Sequence, residues 1–223
     1  MQKLVDGLHK FQSGYFQSHK DLFRTLCKGQ NPEALFITCS DSRINPNLLT
    51  QTGPGDLFIM RNAGNIVPRY EDAAGSSEAG TIEFAVAGLG VQHVVVCGHT
   101  LCGAMRGLVE PSKLEGTPML KRWLNHAESA RQFVAENYRN LEGDAKVTVM
   151  AEENVLTQIE NLQTHPTVKD RLEKGELRIY GWVYKIETGE VFQYEPERNQ
   201  FELISDPSGI APVPAKFRER ASI

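Results

Sequence analysis

Apolar residues along the chain fall into two patterns, helical stripes and short continuous runs. Leu4, Leu8 and Phe11 recur at helical spacing, which predicts an amphipathic helix at the N-terminus. A second helical stretch covers residues 18–28 and stops at Gly29. Residues 34–39 (ALFITC) form a short apolar run, the pattern of a buried strand. Residues 56–61 (DLFIMR) predict another strand after the turn signal Gly53-Pro54-Gly55. Within 76–89, Ile82, Ala85, Val86 and Leu89 share one helical face. Residues 91–97 (VQHVVVC) are rich in β-branched side chains and give the strongest strand signal in the chain. Thr117-Pro118 reads as an N-cap followed by proline at the first helical position, with Leu120, Trp123, Leu124, Ala127 and Val134 turned inward behind it. Val155, Ile159 and Leu162 mark a further helix that stops near Pro166. Residues 177–186 and 191–194 flank Glu187-Thr188-Gly189-Glu190 and predict a hairpin.

Strands that alternate with helices argue for an α/β fold: a mostly parallel central sheet, helices on both faces, and an antiparallel edge strand from the hairpin. No linker interrupts the pattern, so a single domain over 1–223 is expected. Its N-terminal helical arm, 1–30, has too little apolar surface nearby to cover its stripe and is expected to pack on a partner subunit. An extended C-terminal tail is expected over 206–223, which is rich in Pro and Gly at its start. A chain of 223 residues can bury a core without disulfides.

Composition narrows the function. The chain is 40% apolar and 23% charged, with 24 basic against 28 acidic residues and a formal charge of −4. No basic stripe is visible, so no nucleic-acid partner is expected. No apolar run approaches the ~20 residues of a membrane span. The N-terminus lacks the continuous apolar core of a signal peptide, which predicts a cytoplasmic protein. In a reducing compartment the four cysteines point to metal binding or catalysis before disulfides.

Two segments carry chemistry. Cys39-Ser40-Asp41-Ser42-Arg43 follows the first buried strand, and His99-Thr100-Leu101-Cys102 follows the strongest one. In open α/β sheets, ligands gather outside the carboxyl ends of strands where strand order reverses, and neighbouring strands would bring both segments there. Two thiolates and an imidazole suit zinc, and three protein ligands leave a fourth position open, as in catalytic sites. Spacing alone leaves Cys39 and Cys97 both open as ligands, because Cys97 lies two residues from His99 and shares its strand parity. Cys27 reads as a small buried core residue.

CSDSR followed some sixty residues later by GHTLCG resembles the signature of the β-carbonic anhydrases. The resemblance extends over nearly the whole chain. It includes Gly29-Gln30, the segment 55–67 (GDLFIMRNAGNIV) and Gly181-Trp182-Val183-Tyr184, and is strongest toward the cyanobacterial and carboxysomal branch. It implies reversible hydration of carbon dioxide to bicarbonate and a proton, with one Zn2+ per chain on Cys39, His99 and Cys102, and leaves Cys97 in the core. It implies catalytic roles for Asp41, as acceptor and orienter of the attacking oxygen, and for Arg43, which grips Asp41. It assigns Gln30, Phe58, Phe84 and Gly103 to substrate binding, and it implies a homodimer or tetramer, free in the cytoplasm or inside a carboxysome-like compartment. Phe36 stands where some relatives carry a tryptophan that helps bind inhibitory bicarbonate, although Arg61 and Tyr184 resemble the other contributors.

The alternative within the family is hydrolysis of carbon disulfide or carbonyl sulfide at the same metal. A cysteine-nucleophile phosphatase or rhodanese needs about five residues between Cys and Arg to form its oxyanion loop, whereas Ser40, Asp41 and Ser42 alone separate Cys39 from Arg43. A non-enzymatic zinc protein has no use for an Asp41–Arg43 pair beside an open metal position.

Overall fold

The structure is a computed structural model that describes residues 1–205 and 212–214. The chain forms two compact units, Met1–Asn31 and Pro32–Ile223. The first contains α1 (Gln2–Lys10), a π-helical turn (Phe11–Tyr15), α2 (Phe16–Ser18) and α3 (Lys20–Leu26). His19, with φ −119° and ψ 26°, breaks the helical path between α2 and α3. Phe11, Phe16 and Phe23 cluster, with the Phe16 and Phe23 rings 4.9 Å apart. The predicted stripe stays uncovered: Leu4 is 64%, Leu8 61% and Phe11 42% exposed.

The second unit is built on a six-stranded sheet in the order β2-β1-β3-β4-β5-β6. The strands are β1 (Ala34–Cys39), β2 (Leu57–Asn62), β3 (His93–His99), β4 (Arg178–Tyr184), β5 (Val191–Glu195) and β6 (Gln200–Leu203). β2, β1, β3 and β4 run parallel, while β5 and β6 are antiparallel. The helices are α4 (Pro46–Thr50), α5 (Ser77–Glu83), α6 (Gly103–Val109), α7 (Pro118–Leu124), α8 (Glu128–Asn137), α9 (Gly143–Leu162) and α10 (Pro166–Glu173). This is the mostly parallel α/β sheet with an antiparallel edge that the sequence predicts. β6 is an addition, and α5 runs into a π-helical turn at Phe84–Gly88.

Local chemistry sets several boundaries. Asn45 caps α4, with proline at its first position, and the Ser76 hydroxyl accepts the Ala79 amide at the start of α5. Thr117 precedes Pro118 as predicted, but its hydroxyl donates to Leu114 O, so it does not cap α7.

Alternation along the strands divides the core. Leu35, Ile37, Val94, Val96, Ile179 and Val183 pack with Val155, Leu156, Ile159 and Leu162 of α9. The helix lies so close that a Cβ added at Gly98 would meet Val155 Cγ2 at 2.8 Å, and one at Gly181 would meet Ile159 Cδ1 at 2.9 Å. The other face presents Phe36, Ile44, Val95 and Cys97, flanked by partly exposed Leu49 of α4, Leu57, Ile59, Tyr180, Trp182 and Tyr184. A cavity of about 330 Å³ opens there, over Phe36, Val95 and Trp182. Most of the expected tail lies outside the described residues; of the described part, Val213 bridges to Ile179. Among the described residues no helix is long and apolar enough to cross a membrane.

Candidate metal centre

The chain enters the sheet at β1, places β2 on one side of it and then β3 on the other. Strand order therefore reverses between β1 and β3, and a crevice forms beyond their carboxyl ends. Cys39 ends β1 and His99 ends β3. Cys102 follows a left-handed residue, Leu101 (φ +57°), and occupies the N-cap position of α6. The three side chains are buried, and one potential ligand atom from each lies within 4.8 Å of the others.

Their arrangement fits a metal. The two sulfurs are 3.9 Å apart, far beyond the ~2.05 Å of a disulfide. Two zinc–sulfur bonds of ~2.3 Å at a tetrahedral angle would separate sulfurs by ~3.8 Å. His99 Nδ1 lies 2.8 Å from Thr100 O, an arrangement that fixes the ring and makes Nε2 the free lone pair. Nε2 is fully buried and has no hydrogen-bond partner among the described residues. Burying an imidazole nitrogen unpaired is costly, and a bound cation removes that cost.

The surroundings stabilise negative sulfur at Cys39. Its thiol is pulled down to about 4, first by the hydrogen bond from the Cys102 thiol, then by His99 and the amides of Gly64 and Asp41, against the opposing effect of burial. The Gly64 amide donates to Cys39 Sγ at 3.3 Å. Cys102, its partner in that shared proton, is pushed up by the neighbouring Cys39 sulfur and by burial. Cys97 lies outside the cluster, fully buried among Phe36, Ile44 and Val95, and desolvation pushes its thiol up to about 12.

Asp41 and Arg43 form the expected bidentate pair. Arg43 Nε donates to Asp41 Oδ1 at 2.9 Å and Nη2 donates to Oδ2 at 2.7 Å, while the Arg43 amide also donates to Oδ1. Arg43 Nη2 reaches Leu101 O as well, at 3.1 Å, and so ties the β1 loop to the β3 loop. The guanidinium holds the Asp41 carboxyl well below the usual carboxylate range. Asp41 Oδ2 lies 3.9 Å from His99 Nε2, at the edge of the cluster.

The other expected site residues distribute as follows. Phe58 and Phe84 pack with ring centroids 5.8 Å apart, and Phe84 is 49% exposed. Gly103 begins α6, and a Cβ built on it would meet nothing within 4 Å, so there is open space beside it. Gln30 is exposed and belongs to the first unit. Sequence reasoning does not find the role of Arg61, whose guanidinium donates to Cys39 O, Asp41 O and Ile44 O and so braces the β1 loop. Nor does it find Thr100, whose hydroxyl accepts the Ile186 amide and donates to Glu187, tying the β3 loop to the β4–β5 turn.

Comparison with known proteins agrees with this geometry. Residues 34–191 match the family model described as carbonic anhydrase. A carbonic anhydrase of Synechococcus elongatus is 49% identical over 218 residues, 97% of this chain and 78% of that protein. One from Pseudomonas aeruginosa is 42% identical over 206 residues, 92% of this chain and 93% of that protein. Among solved structures, the β-carbonic anhydrase CcaA superposes with a TM-score of 0.89 at 47% identity, covering 93% of each chain. One of two tetrameric β-carbonic anhydrases of Sordaria macrospora gives 0.78 at 28% identity, covering 86% of this chain and 95% of the other.

Proposed function

The chain belongs to the β-carbonic anhydrase family of enzymes, and on that footing we propose that it hydrates carbon dioxide reversibly to bicarbonate and a proton. One zinc ion per chain would be held by Cys39 Sγ, His99 Nε2 and Cys102 Sγ. The observation that carries this reading is the buried, partnerless His99 Nε2 beside two sulfurs at zinc-like separation, with a carboxylate oxygen 3.9 Å away. When bound, zinc supplies the Lewis acidity that makes water a nucleophile near neutral pH.

The chain's own residues do the rest. Asp41 Oδ2 accepts a hydrogen bond from the attacking water and turns its lone pair toward the substrate carbon. Arg43 keeps that carboxylate ionised and prevents its rotation, because both oxygens are engaged and the guanidinium is itself anchored on Leu101 O. Carbon dioxide is small and apolar, and the Phe58 and Phe84 rings supply a wall of matching character. The open space beside Gly103 leaves room for the substrate to approach, and Gln30 is assigned the role of hydrogen-bond donor.

The working unit in this reading is a dimer or a tetramer. Its support is the apolar surface left exposed in one chain: Leu4, Leu8 and Phe11 in the first unit, and in the second the open cavity lined by the half-buried Leu57, Tyr180 and Trp182. Light scattering at micromolar concentration is expected to give an even number of chains, and an active monomer would contradict this. Stopped-flow carbon dioxide hydration with metal analysis of the same sample tests the activity. One zinc per chain and hydration abolished by a chelator are expected. A fully zinc-loaded protein that leaves carbon dioxide untouched but hydrolyses carbon disulfide would replace this reading.

A further inference from the structure

The amide that Gly64 directs at Cys39 belongs to the Ala63–Gly64 peptide, and the other end of that peptide is held. Its carbonyl, Ala63 O, accepts the indole Nε1–H of Trp123 at 2.9 Å. In a trans peptide the C=O and N–H point in opposite directions. Indole N–H, peptide group and sulfur therefore form one relay: Trp123 Nε1–H to Ala63 O, then Gly64 N–H to Cys39 Sγ at 3.3 Å. Hydrogen bonds in such a chain polarise one another, so a donor on the carbonyl makes the amide a better donor to sulfur.

The next peptide is pinned as well. Asn154 Nδ2 of α9 donates to Gly64 O at 2.9 Å, and Gln158 Nε2 donates to Asn154 Oδ1 at 2.8 Å. One turn on, Gln158 Oε1 accepts the Val67 amide and Asn161 Nδ2 donates to Val67 O. Burying three amide side chains along one helix face is expensive unless each is matched, and here the loop between β2 and α5 matches them. The backbone leaves little freedom between these clamps. Gly64 has φ +84°, and a Cβ there would meet Met105 Cε at 3.0 Å and Ala104 Cβ at 3.1 Å, both from α6.

We propose that Trp123 is a positioning residue for the metal centre: through the Ala63–Gly64 peptide it aims a backbone amide at the Cys39 sulfur and tempers that sulfur's donation to the metal. Two thiolates neutralise a divalent ion, which weakens it as a Lewis acid. A hydrogen bond to one sulfur withdraws electron density and restores part of that acidity. The inference rests on the metal reading above, and its test separates the two.

Wild-type protein loaded with NMR-active cadmium and labelled with nitrogen is expected to show a scalar coupling from the metal to the Gly64 amide proton, transmitted through the N–H···S bond. Trp123→Phe keeps a ring but removes the donor. It should lose this coupling, release zinc to a competing chelator about tenfold more readily, and move the thiolate-to-metal charge-transfer band of the cobalt(II) form to longer wavelength. Trp182→Phe, whose indole donates to Gln193 Oε1 away from the site, should leave the band in place. An unmoved band and unchanged zinc retention in Trp123→Phe would overturn the proposal. So would cadmium bound in the wild type without coupling to Gly64, a result that needs no variant to fold. Wild-type protein that takes up no cadmium or zinc would overturn the metal reading itself.

Discussion

Cys39 and Cys97 sit on neighbouring strands, with Thr38 and Cys97 on the same rung of the β1–β3 ladder. Both are buried, yet their surroundings drive the two thiols apart, Cys39 down to about 4 and Cys97 up to about 12. Cys39 stands at the end of its strand, where the Gly64 and Asp41 amides, His99 and a second thiol converge on its sulfur. Cys97 stands inside its strand, where its side chain meets Phe36, Ile44 and Val95. Residue type is the same in both places, and both side chains are buried, Cys97 fully and Cys39 to within 5%. What differs is the balance: at Cys97 desolvation outweighs the Thr38 side chain and the Tyr184 amide, whereas at the strand end Cys102, His99 and the Gly64 and Asp41 amides together outweigh it.

The largest effect should come from erasing one side of this contrast. Cys39→Ala or Cys102→Ala is expected to remove zinc and reduce carbon dioxide hydration to background, while Cys97→Ala retains both. Metal analysis and stopped-flow kinetics on the three variants check this, and zinc lost from Cys97→Ala alone would reverse the assignment.

A smaller effect is expected where the strand end is kept but its acceptor is altered. Asp41→Asn should hold zinc and lower turnover by ~10²–10⁴-fold, the range of positioned proton acceptors. Arg43→Ala should also hold zinc and lower turnover on the order of 10²-fold through loss of orientation. Arg43→Lys should recover little of that, because an ammonium cannot make the paired contact. Wild-type turnover in Arg43→Ala would dissolve the proposed division of labour.

The smallest effect concerns the strand interior alone. The folded pKa of Cys97 is raised above its ordinary 9.0 by desolvation. Its neutral thiol therefore contributes stability that is fully present below about pH 9 and is lost as pH rises through about 12. Cys97→Ala should be less stable than wild type at about pH 8, on the order of 1 kcal/mol, and the gap should close near about pH 10 and reverse by about pH 11. Denaturant midpoints at these pH values measure this, and a constant gap would mean that the buried thiol does not titrate as described.

Much of this contrast is legible in the sequence. Short apolar runs ending in Cys39 and just before His99 predict two buried strands, and the rule for strand ends brings their loops together. Parity alone misleads at Cys97: it shares its strand alternation with His99, yet lies in the core away from the Cys39–His99–Cys102 cluster. The Asp41–Arg43 pair is readable because it is local. Arg61 and Trp123 are not, since each finds its partners across the fold: Arg61 on three carbonyls of another strand's loop, Trp123 on a carbonyl 60 positions away. β6 escapes because four alternating residues at a sheet edge carry little pattern; its local signals are Pro196 and Asn199, the latter at φ +52°, in the turn before it. The π-helical turn after α5 keeps the same apolar stripe as an α-helix and leaves no mark in periodicity.

In the proposed site the metal takes its sulfurs from the last residue of β1 and from the loop after β3, and none from the interior of a strand. X-ray absorption at the zinc edge, on wild-type protein beside Cys97→Ala, tests it most directly. Two sulfurs at ~2.3 Å and one imidazole nitrogen at ~2.0 Å are expected, with the sulfur shell identical in both proteins. A third sulfur in the wild type, or a sulfur shell that shrinks in Cys97→Ala, would put Cys97 on the metal instead.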